Sequence, residues 1–210
     1  MNKFFISTIA LGALVIGVLS FKHFTKPVLP EQALYYKSPR NIAPFEFTDN
    51  TGKAFTNENL HGKWSLVFFG YTSCPDVCPT TLQNFNFIYD ELKGIAQNTQ
   101  ILLVSIDPKR DTQEKLSQYI AYFNSEFIAL RADHGTLFPF SRNLGLMYST
   151  GAKSKDDVDY FVDHSASIVL INPEGKVIAN FKPEAQLGVI PSINGEQFTA
   201  DYEKVIKLAN

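Results

Sequence analysis

Apolar runs and helix-spaced apolar positions take turns along most of this chain. Trp64 to Phe69 is mostly apolar toward both faces, as a strand covered by helices on each side requires. Leu82, Phe85, Ile88, Tyr89 and Leu92 then recur at helical spacing and predict a helix opening near Thr80. Pro79 suits its first turn, where a missing N–H costs nothing. Ile101 to Ile106 predicts a second buried strand, stopped by Asp107-Pro108. Asp111, with Glu114 three residues on, resembles a capping box for a helix through Phe123. A short strand over Phe127 to Leu130 and a helix from Phe138 to Met147 are expected next. Tyr160 to Val162, Ser167 to Ile171 and Val177 to Phe181 read as strands, the last two joined by the turn Asn172-Pro173-Glu174-Gly175. Upstream, Ile42 to Phe47 and Lys53 to Phe55 flank the turn Asp49-Asn50-Thr51-Gly52, while Tyr202, Val205, Ile206 and Leu208 give a closing amphipathic helix.

Strand and helix alternating, then a hairpin and a helix, imply an α/β domain. Its central mixed sheet is flanked by helices and parallel in its first part. We assign 41–210 to this domain. The N-terminus is different in kind. Phe4 to Phe21 is uncharged and mostly apolar, between Lys3 and the pair Lys22 and Lys26. A helix of that length covers roughly 27 Å, close to the hydrocarbon thickness of a bilayer. No small-x-small cleavage site follows it, so 1–24 reads as an uncleaved transmembrane anchor rather than a signal peptide. Pro27, Pro30 and Pro39 make 25–40 an extended linker holding the domain off the bilayer. With no Arg-rich, Ser-rich presequence, a bacterial inner membrane is expected rather than a mitochondrial one, single-pass, with the soluble domain facing the periplasm rather than the intermembrane space.

The chain has 210 residues and is 45% hydrophobic, enough for one full core plus an appendage. A net charge of -2 without blocks of like charge gives no electrostatic case for nucleic acid. Two cysteines are too few for a disulfide scaffold and look like a site.

Those two, Cys74 and Cys78, lie between the first buried strand and the helix after it. Such a pair can close a ring, exchange electrons or chelate a soft metal. Cys78 is expected at about the N-cap, with Cys74 in the loop before it. Orphan N–H groups and the positive helix end favour thiolate there, while the charge of Asp76 opposes it. A thioredoxin-like fold keeps its active site at this junction, an analogy of fold that does not choose the function. If both cysteines were helical, their Cβ atoms would stand about 6 Å apart, too far for a relaxed disulfide without loop movement. His164 precedes the apolar run Ile168 to Ile171; a histidine so placed is ordinarily structural unless the fold carries it to the sulfurs. His23, His61 and His134 are weaker candidates.

Three stretches carry a resemblance. They are Gly70-Tyr71-Thr72-Ser73-Cys74-Pro75-Asp76-Val77-Cys78-Pro79, Val104-Ser105-Ile106-Asp107-Pro108-Lys109-Arg110-Asp111-Thr112 and Val162-Asp163-His164-Ser165. In this order, and with three residues rather than two between the cysteines, they resemble the Sco/SenC family of membrane-anchored, thioredoxin-like copper proteins. The resemblance covers Ile42 to Asn210. It implies that Cys74, Cys78 and His164 bind copper, and that the protein serves assembly of the dinuclear copper centre of cytochrome c oxidase subunit II. That subunit, or another copper-accepting protein, is then the partner.

Two thiolates and one imidazole suit Cu(I), and the imidazole also tolerates Cu(II). Zinc would accept the same ligands, so the family makes copper the choice. Met147 is the only methionine besides Met1, which leaves no methionine-rich site. Asp163 reads either as an orienting partner of His164 or as a solvated carboxylate. Asp107, Pro108 and Asp111 are explained by ending a strand and capping a helix. The alternative function is a thiol-disulfide reductase acting on the partner's copper-ligand cysteines. A peroxiredoxin-type peroxidase would need an activating arginine, and none lies near either cysteine in sequence. A merely structural disulfide is the plainest remaining reading.

Overall fold

Seven consecutive buried residues, Trp64–Gly70, occupy the middle of the sheet, and their alternation divides the core. The computed structural model describes residues 12–17, 28–151, 160–183 and 191–209. In chain order its elements are β1 (Ala33–Asn41), β2 (Glu46–Asp49), β3 (Ala54–Thr56), a 3-10 turn (Asn57–Leu60), β4 (Trp64–Gly70), α1 (Val77–Ile95) and β5 (Thr99–Ser105). After these come α2 (Gln113–Phe123), β6 (Ile128–Arg131), α3 (His134–Leu144), β7 (Tyr148–Thr150), β8 (Val162–His164), β9 (Ile168–Ile171), β10 (Lys176–Phe181) and α4 (Gly195–Ala209).

Among the described residues, eight strands form one sheet in the order β1-β10-β9-β4-β5-β6-β2-β3, and β7 pairs only with β8. The β4–β5 and β5–β6 pairs are parallel, as the alternating pattern requires, while β9 joins β4 antiparallel. Leu66 and Phe68 face a core completed by Leu82 and Phe85 of α1, Leu116 and Ile120 of α2, and Phe198 and Tyr202 of α4. Val67 and Phe69 face the opposite core, which holds Leu137, Phe140 and Leu144 of α3. Helices thus cover both faces, and the carboxyl ends of β4 and β5 meet at one edge of the molecule.

Several expectations need correction. Residues 33–40 of the expected linker belong to β1, an antiparallel edge strand on β10. Pro39 masks this in the sequence, but an edge strand tolerates proline because one side of its ladder is unpaired. Asp111 does not cap α2. The N-cap is Thr112, whose hydroxyl accepts from the Lys115 N–H. The helix expected from Phe138 to Met147 opens earlier, at His134, because Asp133 caps it, and it ends at Gly145, a left-handed residue with φ 72°. Strand β7 was not expected. Among the described residues no helix is long and apolar enough to cross a membrane. Most of the Phe4–Phe21 run lies outside the described residues, and 12–17 of it is helical.

Candidate metal centre

Helix α1 begins at Val77, with Asp76 at the N-cap, so Cys78 lies inside the first turn rather than at the cap. Its side chain is buried, whereas Cys74, in the loop, is half-buried; both are free thiols. That loop starts as a tight turn in which the Cys74 N–H donates to the Tyr71 carbonyl at 3.1 Å. Gly70, the last residue of β4, lets the helix approach closely. A Cβ there would stand 2.8 Å from Leu103 Cδ1 and 2.9 Å from Cys78 Sγ.

His164 arrives from elsewhere in the fold. It sits on β8, directly across from Tyr148 of β7. Tyr148 is buried among the rings of Phe69 and Phe138, which seats the small sheet on the core face under β4. The result places His164 Nε2 3.8 Å from Cys78 Sγ, across 86 residues of sequence. The ligand atoms of Cys74, Cys78 and His164 all lie within 4.8 Å of one another, the expected convergence.

The imidazole is oriented by backbone. Its Nδ1 lies 3.1 Å from the Ser165 carbonyl oxygen, which can only accept, so Nδ1 carries the proton and Nε2 turns a lone pair toward the sulfurs. Asp163 is exposed on β8, so the solvated reading of that carboxylate holds. The other described histidines, His61 and His134, are not among the three clustered ligand atoms. His134 hydrogen-bonds Tyr148 Oη at 3.0 Å, His61 lies beside Gly175, and His23 is outside the described residues.

The two thiols are electrostatically unequal. The hydrogen bond from Cys78 pulls the Cys74 pKa down despite burial, with His164 adding to it. The same hydrogen bond, together with burial, pushes Cys78 up. Cys74 is therefore the sulfur shifted toward thiolate and Cys78 the one shifted toward thiol. Burial, followed by repulsion from Cys74, raises the adjacent Tyr71 hydroxyl. The opening beside Cys74 and His164 is a pocket of about 310 Å³, edged by Pro75, Asp76, Phe161 and Pro191. Cys74 and His164 line it, whereas Cys78 lies buried behind them.

Sequence reasoning missed what lies beneath. The Asp111 carboxylate is fully buried and accepts from the Thr72 N–H at 3.1 Å, the Thr72 hydroxyl at 2.6 Å and the Ser105 hydroxyl at 2.6 Å. It is a strut under the cysteine loop rather than a helix cap. Burial, ahead of the neighbouring Asp107 charge, raises its pKa against the lowering effect of those hydrogen bonds. The fold also brings up an arginine that spacing had kept away. The Arg110 guanidinium lies 5.6 Å from the Tyr71 ring, but it is paired with Asp107 and not with a sulfur. Two aspartates just beyond a buried parallel strand were the available signal, because polar sites collect at the carboxyl ends of such strands.

Gly70→Ala tests the close packing. The added methyl must displace Cys78 Sγ or Leu103, and overpacking of this kind costs about 1–3 kcal/mol. The unfolding midpoint is expected to fall by several degrees and the thiols to react faster with a disulfide reagent. An unchanged midpoint with unchanged thiol reactivity would show that the junction has room.

Three comparisons bear on this geometry. A model of the family described as SCO1/SenC matches residues 35–192. A SCO2-like protein of Rickettsia prowazekii is 33% identical over 173 residues, 82% of this chain and 84% of that protein. Among solved structures, Arabidopsis thaliana ScoI with copper bound superposes with a TM-score of 0.68 at 28% identity, covering 79% of this chain and 98% of that one. Bradyrhizobium japonicum ScoI, also with copper bound, gives a TM-score of 0.63 at 32% identity, covering 79% and 99%.

Proposed function

The chain belongs to the SCO1/SenC family, and from that premise we propose that it is a copper-binding assembly factor carrying its cargo on Cys74, Cys78 and His164. The observation that carries the reading is the gathering of two free sulfurs and one inward imidazole nitrogen within 4.8 Å. The donor set fits: two thiolates select a soft, low-coordinate ion, and the imidazole extends the site to Cu(II). Bound copper would be the cargo, passed by ligand exchange to a copper-accepting protein. We assign that role to cytochrome c oxidase subunit II, in assembly of its dinuclear centre.

What this chain's residues contribute follows from their placement. Ser165 keeps the Nε2 lone pair turned inward, so imidazole rotation is settled before the ion arrives. Cys74, half-buried at the opening and with its pKa shifted down, would make the first contact. Cys78 must lose its proton as the ion is taken up, so binding releases a proton. We further propose that Phe4 to Phe21 anchors the domain as a single span in a bacterial inner membrane, with the site in the periplasm.

One observation favours a second reading, thiol-disulfide reduction. A half-buried sulfur with a lowered pKa, lining an opening beside a buried one, is the asymmetry that exchange chemistry uses. Cys74 would attack a partner disulfide, forming a mixed disulfide and releasing one partner thiolate. Cys78, on losing its proton, would then attack Cys74, release the second partner thiol and leave Cys74 and Cys78 oxidised. Two electrons pass to the partner.

Delivery separates the readings. The purified full-length chain, loaded with one equivalent of copper, is expected to pass it to the reduced, copper-free soluble domain of subunit II. The Cys74→Ser/Cys78→Ser double variant is expected neither to bind nor to pass copper. If the wild-type chain keeps no copper yet reduces an oxidised subunit II domain, the carrier reading fails and the reductase reading stands.

A further inference from the structure

The two halves of the metal site hang from different parts of the fold. The cysteines sit beyond β4 in the main sheet, whereas His164 sits on β8, which pairs with β7 and not with that sheet. Burial of Tyr148 seats the small sheet on the core, and a second tie spans the gap between imidazole and sulfur. The turn Ser105–Asp111 touches both halves. On one side, the buried Asp111 carboxylate holds Thr72 at the root of the cysteine loop. On the other, the buried Asp107 carboxylate accepts from the Tyr160 hydroxyl at 2.6 Å, two residues before β8 begins.

Arg110 closes the unit. Its Nε donates to the other oxygen of Asp107, and its guanidinium lies 3.9 Å from the Tyr160 ring and 5.6 Å from the Tyr71 ring. Tyr71 in turn meets His164 edge-on, with ring centroids 6.2 Å apart. The turn itself is fixed. The Arg110 and Asp111 N–H groups donate to the Asp107 carbonyl, and Arg131 of β6 donates to the carbonyls of Asp111 at 3.2 Å and Pro108 at 3.1 Å. A turn gripped this way can transmit position, because neither arm moves without breaking buried, charge-assisted hydrogen bonds.

We propose that Asp107, Arg110 and Tyr160 are positioning residues that hold the β7–β8 sheet against the cysteine loop and so set the reach of His164 to the two sulfurs. They touch no ligand atom; they act through Tyr71 and through the start of β8. The inference rests on the copper reading for its consequence, but the latch itself exists without metal.

Tyr160→Phe removes only the hydroxyl and leaves the ring in place, so it tests the latch with little risk to folding. In the full-length chain, Cu(II) affinity is expected to fall roughly tenfold, as for loss of outer partners that orient metal ligands. Cu(I), held chiefly by the thiolates, should change less. Without metal, amides of β7 and β8 should exchange with solvent faster than in the wild type, while those of β4 and β5 keep their rates. Asp107→Asn, which weakens the Tyr160 and Arg110 contacts together, should move both readouts further. Wild-type exchange rates in both variants overturn the latch, and wild-type Cu(II) affinity in both overturns its role at the site. If the wild-type chain binds no copper but the exchange difference appears, the latch stands and the copper reading is what fails.

Discussion

His164→Ala is expected to strip most of the Cu(II) affinity while leaving Cys74 and Cys78 able to form a disulfide. The imidazole is the one nitrogen donor in the cluster, and its Nε2 stands 3.8 Å from Cys78 Sγ. Removing it leaves two sulfurs and a position open to water, a weaker donor to Cu(II) than imidazole. The loss should exceed the ~10–100-fold typical when only an orienting partner is removed. Thiol–disulfide exchange has no use for the ring as a ligand, so the alanine protein should still oxidise and reduce at the pair. Competition titration with a copper chelator, alongside a thiol count before and after oxidation, checks both halves. Undiminished copper binding in the variant would remove His164 from the site. Failure of the thiols to oxidise would show that the ring is needed for the redox chemistry too.

The second large effect lies far from the sulfurs. Asp201→Ala is expected to destabilise the domain by about 3 kcal/mol, in the range for removing one member of a buried charged network. The Asp201 side chain is fully buried on α4. It accepts from the backbone N–H groups of Glu31, Gln32 and Ala33 and from Lys204, which ties the start of β1 to the last helix. Without it three donors lose their partner, and β1 can lift from the exposed edge of β10. At roughly 2–4 °C per kcal/mol for a domain of this size, the midpoint should drop by about 10 °C.

The same carboxylate gives a pH signature. Burial works to raise its pKa, but the backbone donors and Lys204 win and hold it below the usual aspartate value. A group lowered in this way stabilises the fold fully above the unfolded aspartate pKa of about 4, and that contribution is lost as pH falls through the lower folded value. Wild-type midpoints should therefore fall in this acid window by more than those of Asp201→Asn, in which the site no longer titrates. Parallel slopes for the two proteins would show that Asp201 contributes nothing to acid sensitivity.

Much of the fold was legible because its strongest signals are local. The all-apolar run at β4 and the helical spacing of Leu82, Phe85 and Leu92 each specify their element without help from distant residues. The cysteines stood out in the sequence by their number and their position at a strand–helix junction, where the structure brings them together with His164. The partnership with His164 was not derivable from spacing, since β8 reaches the sulfurs by pairing with β7 and burying Tyr148. Strand β7, three residues long, has too few positions for a period to show. Asp111 was misread because Asp-x-x-Glu satisfies a capping pattern, while the adjacent Thr112 performs the capping and frees Asp111 to turn inward. The start of the sheet was hidden in β1 for a related reason. Leu34 is exposed and Pro39 interrupts the run, so an edge strand looked like a linker.

X-ray absorption at the copper edge of the loaded full-length chain tests the central claim most directly. Two sulfur scatterers and one imidazole are expected in the wild-type protein, with the imidazole signal absent in His164→Ala. A wild-type spectrum containing sulfur but no imidazole, or unchanged by the substitution, would contradict it.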